Sequence, residues 1–291
     1  MYKTLEGVTT SAEAMAKAGL NWNVKLTDIY TPDKLIPGKK AIVRETDGLV
    51  YGIVSDRYMP VQHPDAFAWF DGAVTAGQAT YEVVGNVDDG GRVWIEARLP
   101  NVIGILGEEI RKYILLVNSH NGTSALQIYY TTIRVVCQNR LAMAKRKADF
   151  NFYARHTSNV HEKMNTAQNI MGLAGNYFAN WQTQAQRLAE QQLPGDGFER
   201  MMNAAFGKSG LDELSDIEQR DKVAVGVLLK SGKGMDNPAI QGTKWAAYNA
   251  LVEHIDYNKT SRGSEDAHTK NVMFGVGAAV KERAWDYLLR N

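Results

Sequence analysis

The chain has 291 residues, a hydrophobic fraction of 44% and a formal net charge of +1, so it can bury a sizeable core and any argument for a charged partner has to be local. These totals exclude a disordered tail, and the single cysteine, Cys137, excludes a scaffold stapled by internal disulfides. A lone thiol in an apolar run reads as a small core residue and not as a nucleophile.

Residues 1–40 read as an N-terminal arm. Their first half, MYKTLEGVTTSAEAMAKAGL, has no continuous apolar stretch behind a basic head, and no later segment is apolar for long enough to span a bilayer. The expectation is a cytoplasmic protein with no membrane partner. The sequons at Asn121-Gly122-Thr123 and Asn258-Lys259-Thr260 are then accidental.

From about residue 41 to 133, apolar residues alternate or cluster in short runs such as LVYGIVS, YEVVGNV, RVWIEARL, YILLVN and ALQIYYTTI. Turn chemistry separates them at Thr46-Asp47-Gly48, Asp88-Asp89-Gly90-Gly91 and Ser119-His120-Asn121-Gly122, which predicts three hairpins. Between the first two lies HPDAFAWFDGAVTAG, where Pro64 follows a cap and Phe67, Phe70, Ala73 and Val74 recur at helical spacing. The predicted class is α+β. An antiparallel sheet of hairpins with helices on one face forms a core domain over 41–157, followed by a helical region over 158–291. That region opens with a long helix whose apolar face holds Met164, Ile170, Met171, Ala174, Phe178 and Trp181. Shorter helices follow in FERMMNAAF, SDIEQRDKVAVGVLLK, TKWAAYNALVEHIDY and NVMFGVGAAVKERAWDYLLR.

Charge is unevenly spread. Residues 1–133 carry 12 Lys or Arg against 15 Asp or Glu, residues 164–291 carry 14 against 15, and residues 134–163 carry 7 against 2. The whole excess therefore lies in Arg134, Arg140, Lys145, Arg146, Lys147, Arg155 and Lys163. Phe152, Tyr153 and His156 are interleaved with these bases. Cations that track phosphates beside flat rings on which bases stack are the ingredients of single-strand nucleic-acid binding. The alternative is structural: on a helix starting near Ile133, Cys137, Leu141, Ala144 and Ala148 form an apolar stripe, and basic residues in a last turn complement the helix dipole.

Catalytic motifs fail. Gly207-Lys208-Ser209 resembles the end of a phosphate-binding loop, but Met202 stands where the first glycine belongs. Gly275-Val276-Gly277 lacks the third glycine of a dinucleotide fingerprint. The six histidines form no metal-binding pair with cysteine support; His156 and His161 read as helix-entry residues and His120 as a turn residue. Asp88 and Asp89 read as turn formers. No cofactor, metal or enzymatic activity is expected, and a hydrolase built from scattered acids and histidines has no nucleophile and base to support it.

The segments IVSDRYMPVQHPDAFAWF, YILLVNSHNGTSAL and IRVVCQNRLAMA, in that order over about residues 40–165, resemble a phage and plasmid family of unknown function, the domain of unknown function nine-three-two type. That family's Arg-Val-Val-Cys-x-Asn-Thr-Leu reads Arg134-Val135-Val136-Cys137-Gln138-Asn139-Arg140-Leu141 here, with an arginine in place of threonine. The order of hairpins and helix is in turn similar to Rad52-like single-strand annealing proteins, a likeness at the level of fold. It implies a homo-oligomeric ring or filament with a continuous basic groove in the cytoplasm of a bacterial host. Tyr58-Met59-Pro60-Val61-Gln62, with Arg57, would form the corner beside the groove, and 134–155 its wall.

The resulting expectation is single-stranded DNA binding and ATP-independent annealing in phage or plasmid recombination, with a single-strand binding protein or an exonuclease as a further partner. Its residues are Arg57, Tyr58, Arg134, Asn139, Arg140, Lys145, Arg146, Lys147, Phe152, Tyr153, Arg155, His156 and Lys163. The alternative is a non-catalytic nucleotide- or protein-binding module of a mobile element, such as a counter-defence factor.

Overall fold

The computed structural model describes residues 2–136, 140, 152–160, 170–209, 213–259 and 263–291. Asn139, Lys145, Arg146, Lys147 and Lys163 lie outside the described residues, as do Cys137, Leu141, Ala144 and Ala148 of the expected apolar stripe. The architecture is α+β, with antiparallel sheets and a helical C-terminal region. One sheet has the order β1 (Tyr2–Thr4), β5 (Thr80–Val87), β6 (Arg92–Ile105), β7 (Glu108–Ser119), β8 (Leu126–Arg134) and β9 (Phe152–Ala154). A smaller sheet has the order β2 (Val24–Tyr30), β3 (Leu35–Arg44) and β4 (Val50–Ser55).

The three expected hairpin turns are present. Gly48 closes the first at φ 78°, Asp88, Asp89 and Gly90 all adopt positive φ in the second, and Gly122 does so in the third. A further reversal joins β6 to β7 at Leu106 and Gly107, with φ 46° and 85°. Consecutive positive φ angles match the right-handed twist of the flanking strands. Within residues 1–40, expected as an N-terminal arm, β1 pairs with β5, and β2 pairs with β3 from Val24 opposite Arg44 to Tyr30 opposite Leu35.

The chain divides into two compact units. The first comprises Met1–Pro100, Tyr113–Tyr130 and Ala144–Ala174. It holds α1 (Ser11–Ala18), α2 (His63–Ala68) and α3 (Asp71–Thr75). Helix α1 starts in a capping box, with Thr10 accepting from the Glu13 amide and Glu13 from Thr10, and stops at Gly19 in the left-handed region. Asp71 accepts from both the amide and the hydroxyl of Ser11, which ties α1 to α3. Met15, Phe67, Phe70, Tyr81 and Trp94 are all buried in its core.

The second unit comprises Asn101–Lys112, Thr131–Met143 and Gly175–Asn291. Most of α4 (Ile170–Glu190) lies here, with α5 (Gly197–Ala205), α6 (Asp216–Ser231), α7 (Lys244–Glu253), α8 (Glu265–Phe274) and α9 (Val276–Arg290). Ser215, Thr243 and Ser264 cap α6, α7 and α8 through their hydroxyls. Trp181 and Trp285 stack at 5.7 Å, and Trp245 meets both edge-on at 6.1 and 6.5 Å. Every residue of α7 is buried, so its sequence KWAAYNALVE shows little amphipathic contrast.

Ile133 is a strand residue, because β8 continues through Arg134. The expected start of a helix there is overturned. The β-branched run Thr131-Thr132-Ile133 fits the pleated, fully buried position that β8 gives it.

Candidate nucleic-acid interface

Two chain segments meet beside the third hairpin turn. After β4 the chain turns through Asp56, Arg57 and Tyr58 toward α2, and after β9 it leaves the sheet through Arg155 and His156. β9 is held against β8 with Leu126 opposite Ala154 and Ile128 opposite Phe152. The Met59 amide donates to the His156 carbonyl at 3.0 Å, and Tyr58 stacks on the His156 ring at 5.0 Å with the planes 20° apart. The Tyr58 hydroxyl in turn donates to the Ser119 carbonyl at 3.2 Å.

These segments and the turn Gly122–Ala125 enclose a cleft of about 830 Å³. Arg57, Arg155 and Tyr153 are exposed along it, Tyr153 at 52%, while His156 forms part of its floor at 4% exposure. Hydroxyls of Ser55, Thr123, Ser124, Thr157 and Ser158 complete the lining. Among the described residues no carboxylate lines the cleft and neither arginine has an ion-pair partner. An open concavity with two cations, a flat exposed ring and several hydroxyls suits a phosphate-bearing ligand.

A buried polar network lies in the same unit. His63 Nε2 bonds the Gly90 carbonyl at 3.0 Å, and Asn118 Nδ2 bonds both His63 Nδ1 at 3.1 Å and the Val61 carbonyl at 2.8 Å. His120 Nε2 reaches the same Val61 carbonyl at 2.8 Å. Burial holds His120 and His156 down at about 4 and pushes His63 well below its ordinary value, His120 adding to the effect on His63. Each is therefore a neutral ring near neutral pH. Trp22 packs edge-on against His63 and stacks on Tyr51, and the Arg44 guanidinium sits 5.0 Å from its ring centre. His120 is thus a core residue and more than the turn former expected from NSHNGTS.

Of the sequence-derived site, Arg57, Tyr58, Tyr153, Arg155 and His156 come together in this cleft. Phe152 neighbours it on β9, half-buried and outside the lining. The phosphate contact expected at Arg134 is overturned, since that side chain is fully buried in the second unit. Its Nε donates to Glu108 Oε2 at 3.0 Å, its Nη2 to Glu108 Oε1, and its Nη1 to the Lys233 carbonyl at 2.9 Å. Trp245 Nε1 also donates to Glu108 Oε2 at 2.9 Å. A guanidinium sealed in this way presents nothing to a ligand in solution. Arg140 is half-buried, and its backbone is clamped by an ion pair: its amide donates to Asp256 Oδ2 at 2.9 Å while Lys281 Nζ donates to its carbonyl at 3.1 Å.

The sequence reading passed over the hydroxyls of Thr123, Ser124, Thr157 and Ser158, whose signal is turn chemistry that occurs on any loop. It also passed over His63, which follows a corner and looks like an ordinary helix-entry residue. Asp88 and Asp89 do serve backbone geometry, at φ 56° and 52°. Among the described residues no group of His, Cys, Asp and Glu could hold a metal ion, and no helix is long and apolar enough to cross a membrane.

An α+β chain with a basic, aromatic cleft beside an edge strand is the class defined by fold and site. Residues 50–273 match the family described as Domain of unknown function (DUF932), and the chain belongs to that family. No curated protein and no solved structure matches it.

Proposed function

We propose that this protein binds single-stranded nucleic acid without sequence preference and promotes annealing of complementary strands without ATP. The observation that carries the reading is the cleft, where two exposed arginines without carboxylate partners among the described residues flank the exposed ring of Tyr153. Arg57 and Arg155 neutralise phosphates of an extended strand, Tyr153 stacks a base, and the lowered charge reduces repulsion from a second strand. No covalent bond changes in this process. A cleft of this volume holds only a few nucleotides, so annealing calls for neighbouring copies in a ring or filament, as in Rad52-like proteins. The basic run Lys145, Arg146 and Lys147 adds charge to the same thirty-residue segment.

The test is titration with fluorescent oligothymidine at several salt concentrations for the wild type and for Arg57→Ala/Arg155→Ala. The double variant should bind more weakly, with the salt slope reduced by roughly 1.4, about 0.7 for each lost phosphate contact on a single strand. An unchanged slope in a folded variant would remove the cleft from the reading. Electron micrographs with and without oligonucleotide should show rings or filaments.

A second reading is favoured by the cleft volume, about 830 Å³, which falls among small-ligand pockets. In that case the cleft holds a single nucleotide. Nucleotide that copurifies with the protein, with no affinity for oligonucleotides, would select it.

A further inference from the structure

His156 stands apart from the other buried histidines of its unit. His63 uses both ring nitrogens and His120 uses one, whereas neither nitrogen of His156 has a well-formed hydrogen bond among the described residues, with only a backbone contact from Met59 acting on the ring. Both nitrogens are sealed from solvent under the Tyr58 ring, yet the residue lines the cleft. The floor of a cationic cleft therefore contains a buried ionisable group whose charged form is opposed by burial and favoured, among the described residues, only by a backbone contact from Met59.

We infer that His156 couples anion binding in this cleft to uptake of a proton, so that the occupied cleft carries a positive charge on its floor that the empty cleft does not. The inference rests on the reading of the cleft as a phosphate-binding surface and adds its regulation. In the empty cleft burial opposes protonation of His156, and among the described residues only a backbone contact from Met59 favours it. Arg57 and Arg155 are cations on the rim, the Tyr58 hydroxyl is pushed up by burial, and His63 on α2 and His120 just beyond β7 are depressed by a charge on His156. No carboxylate among the described lining residues balances these groups. A phosphodiester drawn in by the two arginines reverses the balance, because it brings negative charge over a poorly solvated floor where Coulomb interactions are strong. The added proton acts on the phosphate through space and not by a hydrogen bond, since the ring nitrogens face away from solvent. Burial sets the empty-state midpoint at about 4, which leaves room for a rise into the mildly acidic range.

The experiment follows the His156 ring resonance of the full chain by NMR between pH 3.5 and 8, assigned by its loss in His156→Gln. Spectra are taken alone, with inorganic sulfate and with oligothymidine, neither of which titrates in that range. The midpoint should rise by roughly one unit or more with either probe, which corresponds to about tenfold tighter binding below both midpoints. Oligothymidine affinity should rise about threefold between pH 7.5 and 4.5 in the wild type and stay flat in His156→Gln. A rise with sulfate and no binding of oligothymidine would keep the proton coupling and overturn the single-strand reading. Oligothymidine binding that depends on Arg57 and Arg155 but leaves the midpoint and the pH profile unmoved would overturn the coupling alone. No response to either probe would overturn both.

Discussion

The rings of His63 and His120 stack with centroids 3.9 Å apart and planes within 21° of parallel, both fully buried. Their hydrogen bonds assign the protons: Nε2–H of His63 donates to Gly90, which leaves Nδ1 to accept from Asn118, and Nε2–H of His120 donates to Val61. Two neutral rings pack well at this distance, and a proton on either would place a charge against its neighbour. The unfolded chain binds these protons near pH 6.5 and the folded chain only well below it, at about 4 for His120. Between those values the unfolded state holds more protons, so stability falls as pH falls. Urea denaturation from pH 7.5 to 4.5 should show this loss, each histidine steepening it by up to about 1.4 kcal/mol per pH unit. His120→Gln should flatten the profile.

The pairing of Arg134 with Glu108 separates a folding role from a binding role. Removing one partner strands a buried charge, so Arg134→Ala and Glu108→Ala should each cost about 3–5 kcal/mol in urea denaturation. The double variant Arg134→Met/Glu108→Leu should recover much of that loss. If it folds, it should bind oligothymidine with the wild-type salt slope; a slope reduced as in Arg57→Ala/Arg155→Ala would return Arg134 to the interface.

Two glycines and a third as control test the packing. Gly234 has φ 75°, and a Cβ there would lie 2.5 Å from Arg134 Nη2; a Cβ at Gly85 would lie 2.2 Å from the buried Trp94 ring. Gly234→Ala and Gly85→Ala should each lower stability by about 1–3 kcal/mol. Gly172 in α4 is exposed with nothing within 4 Å of its Cβ position, so Gly172→Ala should raise stability by about 0.5–1 kcal/mol. Thermal melts of the three variants decide the ranking.

Tyr153 offers the cleanest probe of stacking, because at 52% exposure its loss costs the fold little. Tyr153→Ala should weaken oligothymidine binding by about 1–3 kcal/mol while leaving the salt slope unchanged. Tyr153→Phe should bind like the wild type, since the ring carries the effect. Equal affinity for wild type and Tyr153→Ala would show that no base stacks there.

Much of the fold was legible because turn chemistry is local. Gly48, the Asp88-Asp89-Gly90 run and Gly122 announce their hairpins, since positive φ is costly for most other residues. The helices of the second unit were visible in periodicity and caps. The strands within residues 2–40 were not, because VKLTDIY acquires its role only by pairing with β3. The reversal at Leu106-Gly107 was hidden by a leucine at a position with φ 46°.

The site was half legible for a related reason. Composition along the chain by itself determined that 134–163 carries the excess charge and that aromatics accompany it. It could not sort those residues, because the charge of an arginine is a property of its side chain and its availability is a property of what folds around it. Only the tertiary structure decided that Arg134 is enclosed by Glu108, Trp245 and Lys233, while Arg155 opens onto a cleft with Arg57, almost a hundred residues earlier in the chain. Burial strips water from one guanidinium and forces it to pair with a carboxylate; exposure leaves the others solvated and ready to exchange water for phosphate.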